Sequence, residues 1–221
     1  MKYFADTGKF AELEHLYSYF PVCGVTTNPS IIAQTGLPLS KAIDGILKII
    51  GDDAIHIQVS SERAEQMIVE AKKYKEYFNL GENYYTKIPV TEQGIKAIKM
   101  AKDAGMKVTA TAIFTQQQAV VAAIAGADYV APYVSRLDNI SSHGIEVVSS
   151  IVKCLKLSGL PTEVLAASFK TVDQVYRVSE CGAQSATLSY DILEALRKHP
   201  MTDISMEQFM KDAKSSYDIE F

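Results

Sequence analysis

The stretch YYTKIPVT, residues 84 to 91, places a lysine where lysine needs a reason. The residues around Lys87 favour strands and the run closes on Pro89, yet lysine is among the side chains least often buried. Strand alternation puts Tyr85, Lys87 and Pro89 on one face and Tyr84, Thr86 and Ile88 on the other. Two readings compete. In one, the amine reaches solvent or a structural carboxylate. In the other it points into a closed interior, where desolvation favours the neutral amine that attacks a carbonyl carbon. A nearby carboxylate such as Asp6 would oppose that shift, and residue types alone do not fix the balance.

Lys87 is one of a series. Asp6, Asn28, Gln58, Thr111, Tyr133, Arg136, Ser168 and Lys170 each stand late in, or just after, a short run of strand formers. Eight such runs begin as KYFADT, CGVTTN, AIHIQVS, YYTKIPV, KVTATAIF, YVAPYV, EVLAASF and SATLSY. Between them apolar residues recur at helical spacing, as at Ile95, Ile98 and Ala101. Gly105 and Gly126 stand where a left-handed residue would end a helix. Thr115 with Gln118, and Thr171 with Gln174, read as capping boxes at helix starts. Repeated βα units of this number predict a (β/α)8 TIM barrel in one domain, whose reacting groups come from the carboxyl ends of the strands. Neither GxGxxG nor a P-loop is present, which argues against an open nucleotide-binding sheet.

Composition narrows the function classes. With 22 basic and 26 acidic residues, the net charge of −4 offers no broad basic surface for nucleic acid or an anionic membrane. No run reaches transmembrane length, and the start MKYFADTG lacks the apolar core of a signal peptide, so the cytoplasm is the expected location. Cys23, Cys154 and Cys181 lack metal-type spacing and read as reduced, half-buried thiols. His15, His56, His143 and His199 are scattered, reading as surface or satisfied interior histidines, and no metal or cofactor is expected.

Several motifs together, GVTTNPSII at 24 to 32, TKIPVT, TATAIF, APYVSRLD at 131 to 138 and LAASFK at 165 to 170, resemble the transaldolase family, in particular its small fructose 6-phosphate aldolase branch. The resemblance runs in order through most of the chain. It implies a class I aldolase that reversibly cleaves fructose 6-phosphate to dihydroxyacetone and glyceraldehyde 3-phosphate. Lys87 would form the Schiff base, Asp6 would hold substrate hydroxyls and influence the lysine's protonation, and Asn28 would bind the dihydroxyacetone portion. Gln58, Thr111 and Tyr133 would position a water that shuttles protons. Arg136, Ser168 and Lys170 would hold phosphate, Ser168 standing just before a helix start where free amides favour an anion. Without the resemblance, Asp6 and Asn28 read as turn residues, Thr111 as core, Arg136 as a partner of Asp138, and Lys170 as a solvated charge.

Two departures bear on the branch. Transaldolases carry a glutamate where this chain has Gln58, and Ser-Pro-Phe where it has Ala131, Pro132 and Tyr133. Both favour the aldolase branch, with transaldolase, which passes the dihydroxyacetone unit to an aldose phosphate, as the alternative. A non-catalytic barrel binding a sugar phosphate or a protein partner is the third reading, since fold does not dictate function. The tail suggests an additional helix at about 205–217, with Ser205 and Gln208 as a capping box, Ile204 and Phe209 as a hydrophobic staple, and Met206, Phe209, Met210, Ala213 and Tyr217 along one face. The resemblance implies that this helix reaches a neighbouring subunit in a homodecamer of two pentameric rings.

Overall fold

A computed structural model describes residues 1–216. Eight parallel strands form one closed barrel in chain order, β1 (Lys2–Ala5), β2 (Val22–Thr26), β3 (Ala54–Gln58), β4 (Tyr84–Pro89), β5 (Lys107–Ile113), β6 (Tyr129–Pro132), β7 (Glu163–Ala166) and β8 (Ser185–Leu188). Pairing of β1 with β8, from Lys2 opposite Ser185 to Ala5 opposite Leu188, closes the ring. Helices fill every interval, so the chain is the (β/α)8 barrel that its alternating pattern predicts.

Alternation sorts side chains into two cores. Outward residues, among them Val25, Ile55, Ile57, Ile88, Val108, Val130 and Val164, pack with helix residues such as Leu13, Leu16, Ile43, Ile98 and Ile151. Inward residues near the amino-terminal end form a smaller cluster of Phe4, Tyr129 and Leu165, with Tyr85 packed against it. Above it the interior turns polar. The predicted caps form as read: Thr115 and Thr171 each accept the amide three residues on, and Gln118 and Gln174 return the bond. Gly105 and Gly126 take φ of 68° and 104° at their helix ends.

β5 departs from regular alternation. Its register against β6 shifts between Ala110 and Ile113, and Ala112 lies at φ 58°, in the left-handed region that L residues rarely adopt. This bulge inserts one residue, so Thr109 and Thr111 share the interior while Ile113 joins the helix-facing core.

Two expectations need correction. Cys23 and Cys154 are exposed and only Cys181 is half-buried, all three being free thiols. The last helix spans Pro200–Ser216, starting five residues before the expected cap. Proline's fixed φ suits a first helical position, and the His199 imidazole accepts the Met201 N–H. Ser205 therefore lies inside the helix and donates back to the Met201 carbonyl, while Gln208 donates to Asp212. Met201, Ile204, Met206, Phe209 and Met210 are 51% to 63% exposed. Tyr217 lies outside the described residues.

Candidate functional site

Lys87 points inward, flanked in register by Gln58 of β3 and Thr109 of β5, and is only 4% exposed. Its Nζ donates to the Thr27 carbonyl at 3.1 Å. Among the described residues Lys87 enters no ion pair. Asp6, half-buried at the end of β1, is turned instead toward Thr26, whose hydroxyl donates to its Oδ1 at 2.6 Å and shares a second contact of 2.6 Å with Thr187.

Thr111 is buried, and its hydroxyl meets the Tyr133 phenol at 3.0 Å. The Tyr133 ring is fixed from two sides, by the edge of Phe114 with centroids 5.6 Å apart and by the Arg136 guanidinium 4.8 Å from its centre. The half-buried Gln58 side chain makes no hydrogen bond among the described residues, leaving both ends of its amide for a ligand. Asn28 caps the Pro29–Gln34 helix by accepting the Ile31 N–H at 3.0 Å, which leaves its amide donors available.

The outer residues form a rim. Arg136 and Lys170 are exposed, and Ser168 is half-buried at φ 63° with its carbonyl accepting the Ser135 N–H at 2.7 Å. The alternative pairing of Arg136 with Asp138 does not form among the described residues; Asp138 accepts from the Gly144 amide and from Gln174. The amides beside Ser168 are partly taken. The helix there starts at Val172, and its capping box already engages the amides of Lys170, Thr171 and Gln174. The amides of Val172 and Asp173 have no acceptor among the described residues and stay available to an anion, beside the side chains.

Beneath the lysine lies His56, fully buried. Its Nδ1 meets the Thr109 hydroxyl at 2.8 Å, its ring stacks on Tyr85 at 4.6 Å, and its Nε2 has no hydrogen-bond partner. Burial, with a smaller push from Lys87, lowers its pKa to about 3, so the ring stays neutral. Of the two expected alternatives, surface or satisfied interior, it takes the interior, and there it is only half satisfied. His56, Thr109, Thr187 and the Asp6–Thr26 contact had no separate place in the sequence reading. Alternation alone carried a signal for two of them, since His56 shares a face with Gln58 and Thr109 with Thr111. Among the described residues no three His, Cys, Asp or Glu side chains gather in a way that could hold a metal ion.

A closed parallel barrel with an inward lysine near the end of β4 and polar groups around it defines a class: a (β/α)8 scaffold with a buried amine among polar side chains at the carboxyl end of its strands. The comparison with known families then makes the identification. Residues 3–220 match the family described as Transaldolase/Fructose-6-phosphate aldolase, and the chain belongs to it. Similar proteins include a probable transaldolase of Caldicellulosiruptor saccharolyticus, 40% identical over 96% of each chain. Another, from Clostridium acetobutylicum, is 39% identical over 98% of this chain and 99% of its own length. A third, from Brachyspira hyodysenteriae, is 37% identical over the same shares. No helix among the described residues is long and apolar enough to cross a membrane.

Proposed function

We propose that this protein is a Schiff-base enzyme that takes a dihydroxyacetone unit from a ketose phosphate such as fructose 6-phosphate. The observation that carries the reading is the buried amine of Lys87, held by one backbone carbonyl and outside ion-pair range of any carboxylate among the described residues. The amine adds to the C2 ketone and water leaves, giving an iminium. The C3–C4 bond then breaks, its electron pair passing toward the iminium nitrogen while the C4 hydroxyl loses a proton and becomes the aldehyde of glyceraldehyde 3-phosphate. The Thr111–Tyr133 pair and Gln58 hold the water that carries this proton. Asp6 and Asn28 hold hydroxyls of the retained unit, and Arg136, Ser168 and Lys170 hold the phosphate.

The enamine left on Lys87 has two fates. The names of the relatives support its transfer to a second aldose phosphate, the transaldolase reaction. The second reading is release as free dihydroxyacetone, and Gln58 favours it: a glutamine can position water but cannot act as the acid and base that a glutamate would supply there. Fructose 6-phosphate turnover, measured with and without erythrose 4-phosphate, separates the two. Turnover that requires the acceptor establishes transfer, and equal turnover without it establishes cleavage. Borohydride in the presence of substrate should leave a covalent adduct on Lys87; no adduct would sink both readings.

We also propose a homo-oligomer, decameric as the resemblance to the fructose 6-phosphate aldolase branch implies, in which the apolar face of the Pro200–Ser216 helix meets a neighbouring subunit. Light scattering on the full chain and on one truncated before Asp203 tests it. A full-length monomer refutes the assembly, and an intact oligomer after truncation refutes the helix as its clasp.

A further inference from the structure

Arg136 has a natural competitor two residues along the chain. A free carboxylate at Asp138 would bind the guanidinium that phosphate is to find, yet Asp138 is engaged twice. Its Oδ1 accepts the Gly144 N–H at 2.7 Å and its Oδ2 accepts from Gln174 Nε2 at 2.6 Å. Gln174 is committed at its other end too, where Oε1 accepts the amides of Lys170 at 2.8 Å and Thr171 at 3.2 Å. Those two donors fix the amide's orientation: the oxygen must face them, so the nitrogen must face Asp138. One side chain thus ties the segment after β7, with Ser168 and Lys170, to the segment after β6, with Arg136. The backbone bond from Ser135 to Ser168 runs in parallel.

We infer that Asp138 and Gln174 are positioning residues: together they fix Arg136 relative to Ser168 and Lys170 and keep the Asp138 carboxylate from occupying the anion site. The pair then sets selectivity for phosphorylated over unphosphorylated substrates without touching either. This rests on the reading of Arg136 as a phosphate ligand. Among the described residues the Arg136 guanidinium enters no ion pair or hydrogen bond and lies over the face of Tyr133, so its donors stay available.

Gln174→Glu isolates the effect. A glutamate at 174 keeps an acceptor for the capped amides but sets a second carboxylate oxygen against Asp138. The Michaelis constant for fructose 6-phosphate, with erythrose 4-phosphate present, should rise roughly three- to fivefold, the scale of one exposed charge interaction. Turnover of free dihydroxyacetone with unphosphorylated glyceraldehyde should hold, and the melting temperature should move little. The new charge could itself repel phosphate, so the double variant Gln174→Glu with Asp138→Asn is the deciding one. It exchanges amide and carboxylate, conserves net charge, and restores a donor at 138 facing an acceptor at 174. Recovery of the parental constant is expected. A Gln174→Glu variant with the parental constant, or a double variant no better than the single, overturns the inference. Arg136→Ala keeps the underlying reading separate. If it leaves the constant for phosphorylated substrate unchanged, the phosphate assignment fails; if it raises that constant while Gln174→Glu does not, only the clasp fails.

Discussion

The two ends of the barrel interior solve opposite problems. At the amino-terminal end the inward side chains, His56 Nε2 apart, satisfy one another: Phe4, Tyr129 and Leu165 cluster, Lys2 pairs with Glu163 at 3.0 Å, and Lys107 lies over the Tyr85 ring. At the carboxyl end they hold capacity in reserve. Among the described residues Lys87 has one acceptor, the Gln58 amide none, and Arg136 no carboxylate. Polar groups left under-satisfied in a closed interior cost stability, and they persist where a ligand completes them. The upper half is thus expected to govern turnover, and the lower half folding.

Lys87→Ala tests that division most severely. It should leave a folded barrel with less than about one-thousandth of the parent's cleavage, since removing the nucleophile forfeits much of an acceleration that is typically 10⁶-fold or more. Lys87→Arg should fail as fully, because a guanidinium stays protonated. Folding is checked by circular dichroism, and an active alanine variant would break the comparison at its centre.

Tyr133→Phe keeps the ring that Phe114 and Arg136 hold and removes only the hydroxyl that meets Thr111. Turnover should drop by roughly 10²-fold with the Michaelis constant little changed, as for loss of a general acid–base group. A parallel rise in the Michaelis constant would instead make the tyrosine a binding group.

The lower half is probed through His56. Its folded pKa of about 3 lies below the ordinary value of 6.5, so the unfolded chain binds more protons between these limits. Stability from the neutral ring is therefore complete above pH 6.5 and is lost as pH falls toward 3. Between pH 6.5 and 5 that amounts to about 2 kcal/mol, measurable by urea unfolding. His56→Leu should flatten this slope and leave turnover within about threefold of the parent. A large loss of turnover with an unchanged slope would move His56 into the upper half's account.

Arg136→Ala gives the smallest effect. The Michaelis constant for phosphorylated substrates should rise about tenfold, the scale of one charge-assisted hydrogen bond, with less change for free dihydroxyacetone. Equal losses for both would remove the arginine from the phosphate end.

All eight strands were legible because each carries its own alternation and turn chemistry, and both threonine–glutamine caps because their partners lie three residues apart. The series of polar residues from Asp6 to Lys170 followed once the strand ends were placed. What stayed hidden depends on closure. The Thr26–Thr187 contact spans 161 residues and the Asp138–Gln174 bond 36, and no local pattern marks either. The start of the last helix was misplaced because Ser205 and Gln208 satisfy a cap's spelling, while Pro200, with the better claim to a first turn, lies five residues earlier.

The bulge at Ala112 works as punctuation in β5. Without it, Thr111 and Ile113 would face the same way; with it, the hydroxyl reads into the cavity and the isoleucine into the oily layer outside. Deleting this one alanine would erase the bulge and leave Thr111 and Ile113 adjacent, so that plain alternation would keep them facing opposite ways. Exchanging it for glycine keeps the phrase intact and relieves the left-handed backbone, by about 1–2 kcal/mol. That position offers a route to a sturdier barrel with the same mouth.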